Sequence, residues 1–162
     1  MAVQLNKDPA TLLERRTRMN TANILDHNRI ILCHFDSYSC ALNFARYGDT
    51  ILAPAPLPPS ASDTPPLETA GEQHAPDAVL EAMVAKYGLN PAQLKIDEGF
   101  EAWLSGESGP IRVHLVRISS PDIPHEAIEP MGAVFKPISQ MRGMPATELN
   151  LMRQVFNLIM GG

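Results

Sequence analysis

Cysteine is scarce: the chain has 162 residues, and only Cys33 and Cys40 carry thiols. Two cysteines do not make the disulfide framework of a small secreted domain. No apolar run reaches the roughly 18 residues that a membrane-spanning helix requires. The first twenty residues are polar and then arginine-rich, without the apolar stretch of a secretory signal. These absences point to a cytoplasmic chain with no membrane partner. Nucleotide loops are missing as well. Neither G-x-x-x-x-G-K-[ST] nor G-x-G-x-x-G occurs, and no cofactor is called for. The G-x-S-x-G elbow and the H-E-x-x-H zinc motif are also absent.

Hydrophobic residues supply 44% and charged residues 19% of the chain, the balance of a globular protein rather than a disordered one. The length suits one ordinary domain. Net charge is −5, which argues against nucleic acid, whose binders carry basic stripes. The charge is uneven: residues 1–46 are net +2, residues 47–110 net −8 and residues 111–162 net +1. Proline is plentiful at 15 residues, and six of these fall between Pro54 and Pro66. Proline has no amide proton and a fixed φ, so residues 54–75 read as an extended loop or linker, neither helix nor central strand. A loop of that length is unusual inside a compact domain and is commonly functional or disordered. The chain is therefore read as a single α+β domain over 1–162 with a proline-rich interruption.

Periodicity supplies the elements. Asp8-Pro9 opens a helix to about Met19. The run Arg29 to Phe35 is short, continuous and β-branched, as in a buried strand. A short helix is expected after Asp36 or Ser37, through Leu42 and Ala45 to Gly48. Thr50 to Ala53 forms a brief strand. Pro76 to Tyr87 repeats apolar residues at helical spacing and ends on Gly88, with Leu89 folding back. Asn90 caps a further turn. Phe100–Leu104 and Ile111–Ile118 alternate and form a hairpin across 100–118. Ala133 to Phe135 adds an edge strand. The last helix runs from Pro145 to Met160, with Leu149, Met152, Phe156 and Ile159 as its main stripe. The fold expected is a small, mostly antiparallel sheet covered by helices near 76–87 and 145–160. Strand 29–35 either joins that sheet centrally or forms a second layer.

Candidate chemistry is sparse. Cys33, His34, Asp36 and Cys40 gather four metal-ligating types in one segment. Zinc, however, prefers paired cysteines two to four residues apart, and the ordinary reading is a packed strand. Cys40 near a helix start, with His34 or His114 as base, is the nucleophile candidate. Arg112 and His114 share one face of their strand, with Trp103 across the hairpin. They form either a polar binding surface or a solvated face with a stacked Trp–Arg pair. Arg15, Arg16 and Arg18 are candidates for phosphate contact, without aromatic interleaving. Glu98, Glu101 and Glu107 are candidate paired carboxylates on what is otherwise an acidic surface.

The leading functional reading is a small accessory or binding protein that acts through protein–protein contacts. The C-terminal helix would meet a protein partner or a second copy, because its apolar face is wider than a surface helix needs. A metal- or Cys-dependent enzyme centred on Cys33–Cys40 is the alternative. A nucleic-acid-associated regulator is the third reading.

Overall fold

The computed structural model describes residues 24–65, 74–106 and 109–161. The expected helix Asp8–Met19, the arginine run within it and Glu107 lie outside the described residues.

The architecture is α+β. Among the described residues, eight strands form one open, mostly antiparallel sheet: β1 (Asn28–Asp36), β2 (Ala41–Arg46), β3 (Leu52–Ala53), β4 (Ser62–Asp63), β5 (Leu94–Ile96), β6 (Ala102–Gly106), β7 (Gly109–Ile118) and β8 (Val134–Pro137). The path is β4-β6-β7-β1-β2-β8, with β3 beside β1 and β5 beside β7. β1 and β7 form a central parallel pair, from Asn28↔Arg112 to Cys33↔Arg117. Each uses its other edge twice. β1 meets β3 at Ile30 and Ile31, then β2 from Cys33 onward. β7 meets β6 up to Val113, then β5 from Val116 onward.

Both faces of the sheet are covered. On one face Ile31, Cys33, Val113 and Leu115 pack with Leu151, Met152 and Val155 of α3 (Ala146–Met160). On the other, Ile30, Leu32, Val116 and Ile118 pack with Val79, Ala82 and Met83 of α1 (Pro76–Tyr87). A strand buried on both faces reads as a continuous apolar run, and that is why 29–35 stands out in the sequence. It joins the sheet centrally.

Helix α1 begins with Pro76 at its first position, where the missing amide costs nothing. It ends on Gly88 at φ +68, whose amide bonds the Val84 carbonyl at 2.8 Å. Only glycine adopts that left-handed geometry without a Cβ penalty. Asn90 accepts from the Ala92 amide and caps the 3-10 turn Pro91–Gln93, as its sequence position implies. The short helix α2 (His125–Ile128) leads to β8 at the sheet edge.

Two expectations are corrected. Ala41–Arg46 is a strand, not a helix. Leu42 and Phe44 join the α3-side core, while Ala45 joins the α1-side core, an alternation of period two. Pairing with β1 supplies hydrogen bonds and two buried faces that no short helix offers here. Asp36 still acts as a cap, but of a turn: its carboxylate accepts from the Tyr38 amide at 3.1 Å and the Ser39 hydroxyl at 2.7 Å. Gly48 does take positive φ, but in the turn that joins Tyr47 to Thr50. The second correction concerns α3. Its buried stripe is Glu148, Leu151, Met152 and Val155, and Phe156 is left exposed. Within the proline-rich stretch, Ser62–Asp63 forms a two-residue edge strand against β6.

Candidate functional site

Because β1 and β7 run parallel, their carboxyl ends emerge at the same end of the sheet. An open cleft of about 650 Å³ lies there, lined among others by Phe35, Lys95, Asp97, Arg117 and Ser119. His34 and Ser120 line it too, and Ser120 is shared with an adjoining cleft of about 590 Å³ near His125. His34 sits on the α1 side of β1, only 2% exposed. Its Nε2 lies 2.8 Å from the Ser120 carbonyl oxygen. A carbonyl only accepts, so Nε2 carries the proton and donates. The other ring nitrogen, Nδ1, is buried without a partner. The ring also leans on Phe135, centroid to centroid 6.1 Å.

Charge on the cleft wall is arranged in a short cross-strand pattern. Lys95 lies directly opposite Arg117 in the β5–β7 register. Asp97, past the end of β5, makes a 3.5 Å ion pair with Arg117 and accepts from the Gly99 amide at 2.9 Å. Glu98 is on the exposed rim.

Trp103, Arg112 and His114 are assembled as their alternation implies. Trp103 pairs with Arg112 in register, and the guanidinium lies 5.5 Å from the indole centroid. The face they share is closed, however, and not a solvated or open surface. Trp103 and His114 are both buried. His74 packs edge-on against Trp103 at 4.8 Å, and its carbonyl accepts from Arg112 Nη1 at 3.1 Å. Asn28 ties the cluster together. Its side-chain oxygen accepts from His114 Nε2 at 2.8 Å and from His74 Nδ1 at 3.3 Å. Its amide nitrogen donates to the Ile24 carbonyl. Burial, with Arg112 and His74 nearby, pushes the His114 imidazole down to about 3. The cluster therefore holds neutral imidazoles in a polar seam that fastens residue 74 and the 24–28 segment to the sheet.

The cysteine segment is not brought together. Cys33 is buried on the α3 side of β1, opposite to His34, and burial pushes its thiol up to about 12. A thiol so shifted is not a nucleophile at neutral pH. Cys40 is exposed in the β1–β2 turn at φ +56, its Sγ 3.9 Å from the Ser37 carbonyl. Asp36 is spent on the turn, where the Ser39 hydroxyl, the Tyr38 amide and nearby His34 hold its carboxyl below the usual range. Among the described residues no group of three His, Cys, Asp or Glu side chains is placed to hold a metal ion. His34, His114 and Cys40 have separate partners and surroundings. Glu101 is exposed and accepts from the Trp103 indole at 2.6 Å rather than pairing with another carboxylate.

One group escaped sequence reasoning. Glu148, in the first turn of α3, is buried, and its two oxygens accept from the Ile51 amide and the Thr50 hydroxyl, each at 2.8 Å. Burial outweighs these two bonds and raises its pKa. The only signal was a lone acidic residue within an apolar helix, a pattern equally suited to a solvated first turn.

No described helix is long and apolar enough to cross a membrane. Compared with family models the chain matches none, and compared with curated proteins it gives no match either.

Proposed function

We propose that this chain is a small accessory protein that acts through protein–protein contacts, and that the outer side of α3 carries the contact. The supporting observation is apolar exposure at the end of that helix: Phe156 and Met160, one turn apart on one face, are each 38% exposed, and Leu158, on the side toward Gly99, is 36% exposed. Burying such side chains stabilises by roughly 1.5–3 kcal/mol each, so leaving three on one helix end is unfavourable in isolation. The composition is that of an interface core. Phe, Met and Arg are present, while Lys, Glu and Asp are absent between Leu149 and Met160, where Arg153 is the single charge. A shallow groove lined by Ile138, Arg153, Phe156 and Asn157 lies beside the patch.

A second copy of the chain is the occupant that suits this surface. A surface with Arg153 as its single charge can meet itself around a two-fold axis with only that guanidinium to keep apart, and a two-fold dimer is the commonest oligomer. Light scattering on eluting protein, over a concentration series, tests it. The expected result is a dimer that Phe156→Asp converts to a folded monomer. A strict monomer at every concentration overturns the reading.

A further inference from the structure

We propose that the cleft at the carboxyl ends of β1 and β7 binds a small polyhydroxylated anion, of the chemical class of sugar phosphates. This site is separate from the apolar side of α3 and does not depend on the protein-contact reading. Crevices outside the carboxyl ends of parallel strands are the usual ligand position in open sheets. The volume of about 650 Å³ lies within the range of small-molecule pockets.

The chemistry of the wall selects the ligand. Lys95 and Arg117 stand directly opposite one another across β5 and β7. Like charges in that position repel. Asp97 relieves only one of them, since the Arg117–Asp97 contact is the one salt bridge among the described residues. Lys95 is left as an uncompensated cation beside a second one. An anionic head between the two removes the repulsion and gains charge-assisted hydrogen bonds.

The rest of the lining asks for donors instead. Asp97 and Glu98 present carboxylate oxygens, and Ser119 and Ser120 lie on the same wall. The His34 ring lies on the other face of the sheet, against Phe135, and takes no part. Hydroxyl groups satisfy all of these acceptors. Inorganic phosphate has only its P–OH groups to donate and puts its whole charge beside Asp97 and Glu98, whereas a sugar phosphate can turn neutral hydroxyls toward them. Phosphate at one end and hydroxyls at the other is therefore the pattern that fits.

The test is a titration of the ¹⁵N-labelled full chain with glucose 6-phosphate, glucose and inorganic phosphate in parallel. Glucose 6-phosphate is expected to shift the amides of Lys95, Asp97, Arg117, Ser119 and Ser120, with a Kd below about 1 mM. Lys95→Ala is expected to weaken that binding about tenfold or more, with the melting temperature little changed, because the side chain is exposed. Three results each overturn the proposal: no cleft shifts with glucose 6-phosphate, inorganic phosphate binding as tightly as the sugar phosphate, or unaltered affinity in the folded Lys95→Ala protein.

Discussion

Histidines buried in the sheet set how this protein's stability depends on pH. His34 and His114 both sit on the α1 side of the sheet and both are buried. His114 has its proton committed to Asn28 and lies near Arg112 and His74, so charging it inside the fold is unfavourable. Its folded pKa, about 3, lies below the ordinary 6.5. The unfolded chain therefore takes up a proton first as pH falls. The stability due to this neutral histidine is complete above about pH 6.5 and is lost between there and about pH 3. The slope contributed by one such proton is about 1.4 kcal/mol per pH unit. His74, also lowered by burial, His27 and Arg112, acts with the same sign. Urea unfolding from pH 7 to pH 4 is expected to show a flatter decline for His114→Gln than for the wild type. Parallel declines would show that His114 does not remain neutral in the fold. None of this burial was legible in the sequence. Alternation places Arg112 and His114 on one face, but residue 74, remote along the chain, decides that the face is closed.

At the scale of elements, the legible parts are those whose pattern and boundaries lie within one short stretch of chain. Helix α1 shows its stripe, its Pro76 start and its Gly88 stop within one short stretch. The β6–β7 hairpin shows its alternation, and Trp103 and Arg112 meet where that alternation puts them. Ala41–Arg46 was illegible because Leu42 and Ala45, taken alone, also fit helical spacing. Only β1, already extended beside it, makes the strand the better solution. β5 was missed altogether: three residues after a turn carry no periodicity, and their place is fixed by Val116 to Ile118. In α3 the position of Glu148 is set by the two donors at Thr50 and Ile51, which draw the helix start onto the approach to β3. With Glu148, Leu151, Met152 and Val155 on the buried side of the helix, Phe156 is left exposed. Glu148→Ala leaves both donors buried without their acceptor and is expected to cost about 2–4 kcal/mol, with Glu148→Gln costing less. A Glu148→Ala protein that unfolds in urea with wild-type stability would remove Glu148 as the clamp between helix and sheet.

For the whole molecule, the parallel pairing of β1 with β7 has the largest consequence. β1 precedes the proline-rich stretch and β7 follows it, so the centre of the sheet is made from both sides of the interruption. Both cores also draw on both sides: Ile31 and Leu52 lie with Leu115 and Met152, and Leu32 and Ala53 with Val79 and Val116. Ser62–Asp63 pairs with β6, and the buried Arg29 side chain reaches the Pro56 carbonyl at 3.4 Å, so the proline-rich segment is attached to the sheet at two points. A chain cut in that segment is expected to stay together. Proteolysis near Pro59 should yield two pieces that co-elute under native conditions and unfold in one transition, at a lower temperature than the intact protein because the loop no longer limits the entropy of the unfolded state. Neither piece should show cooperative melting after separation in denaturant, since each holds one strand of the central pair without the other. Two fragments that refold apart, each with its own transition, would mean that the sheet is divisible at the prolines and that the chain is two units.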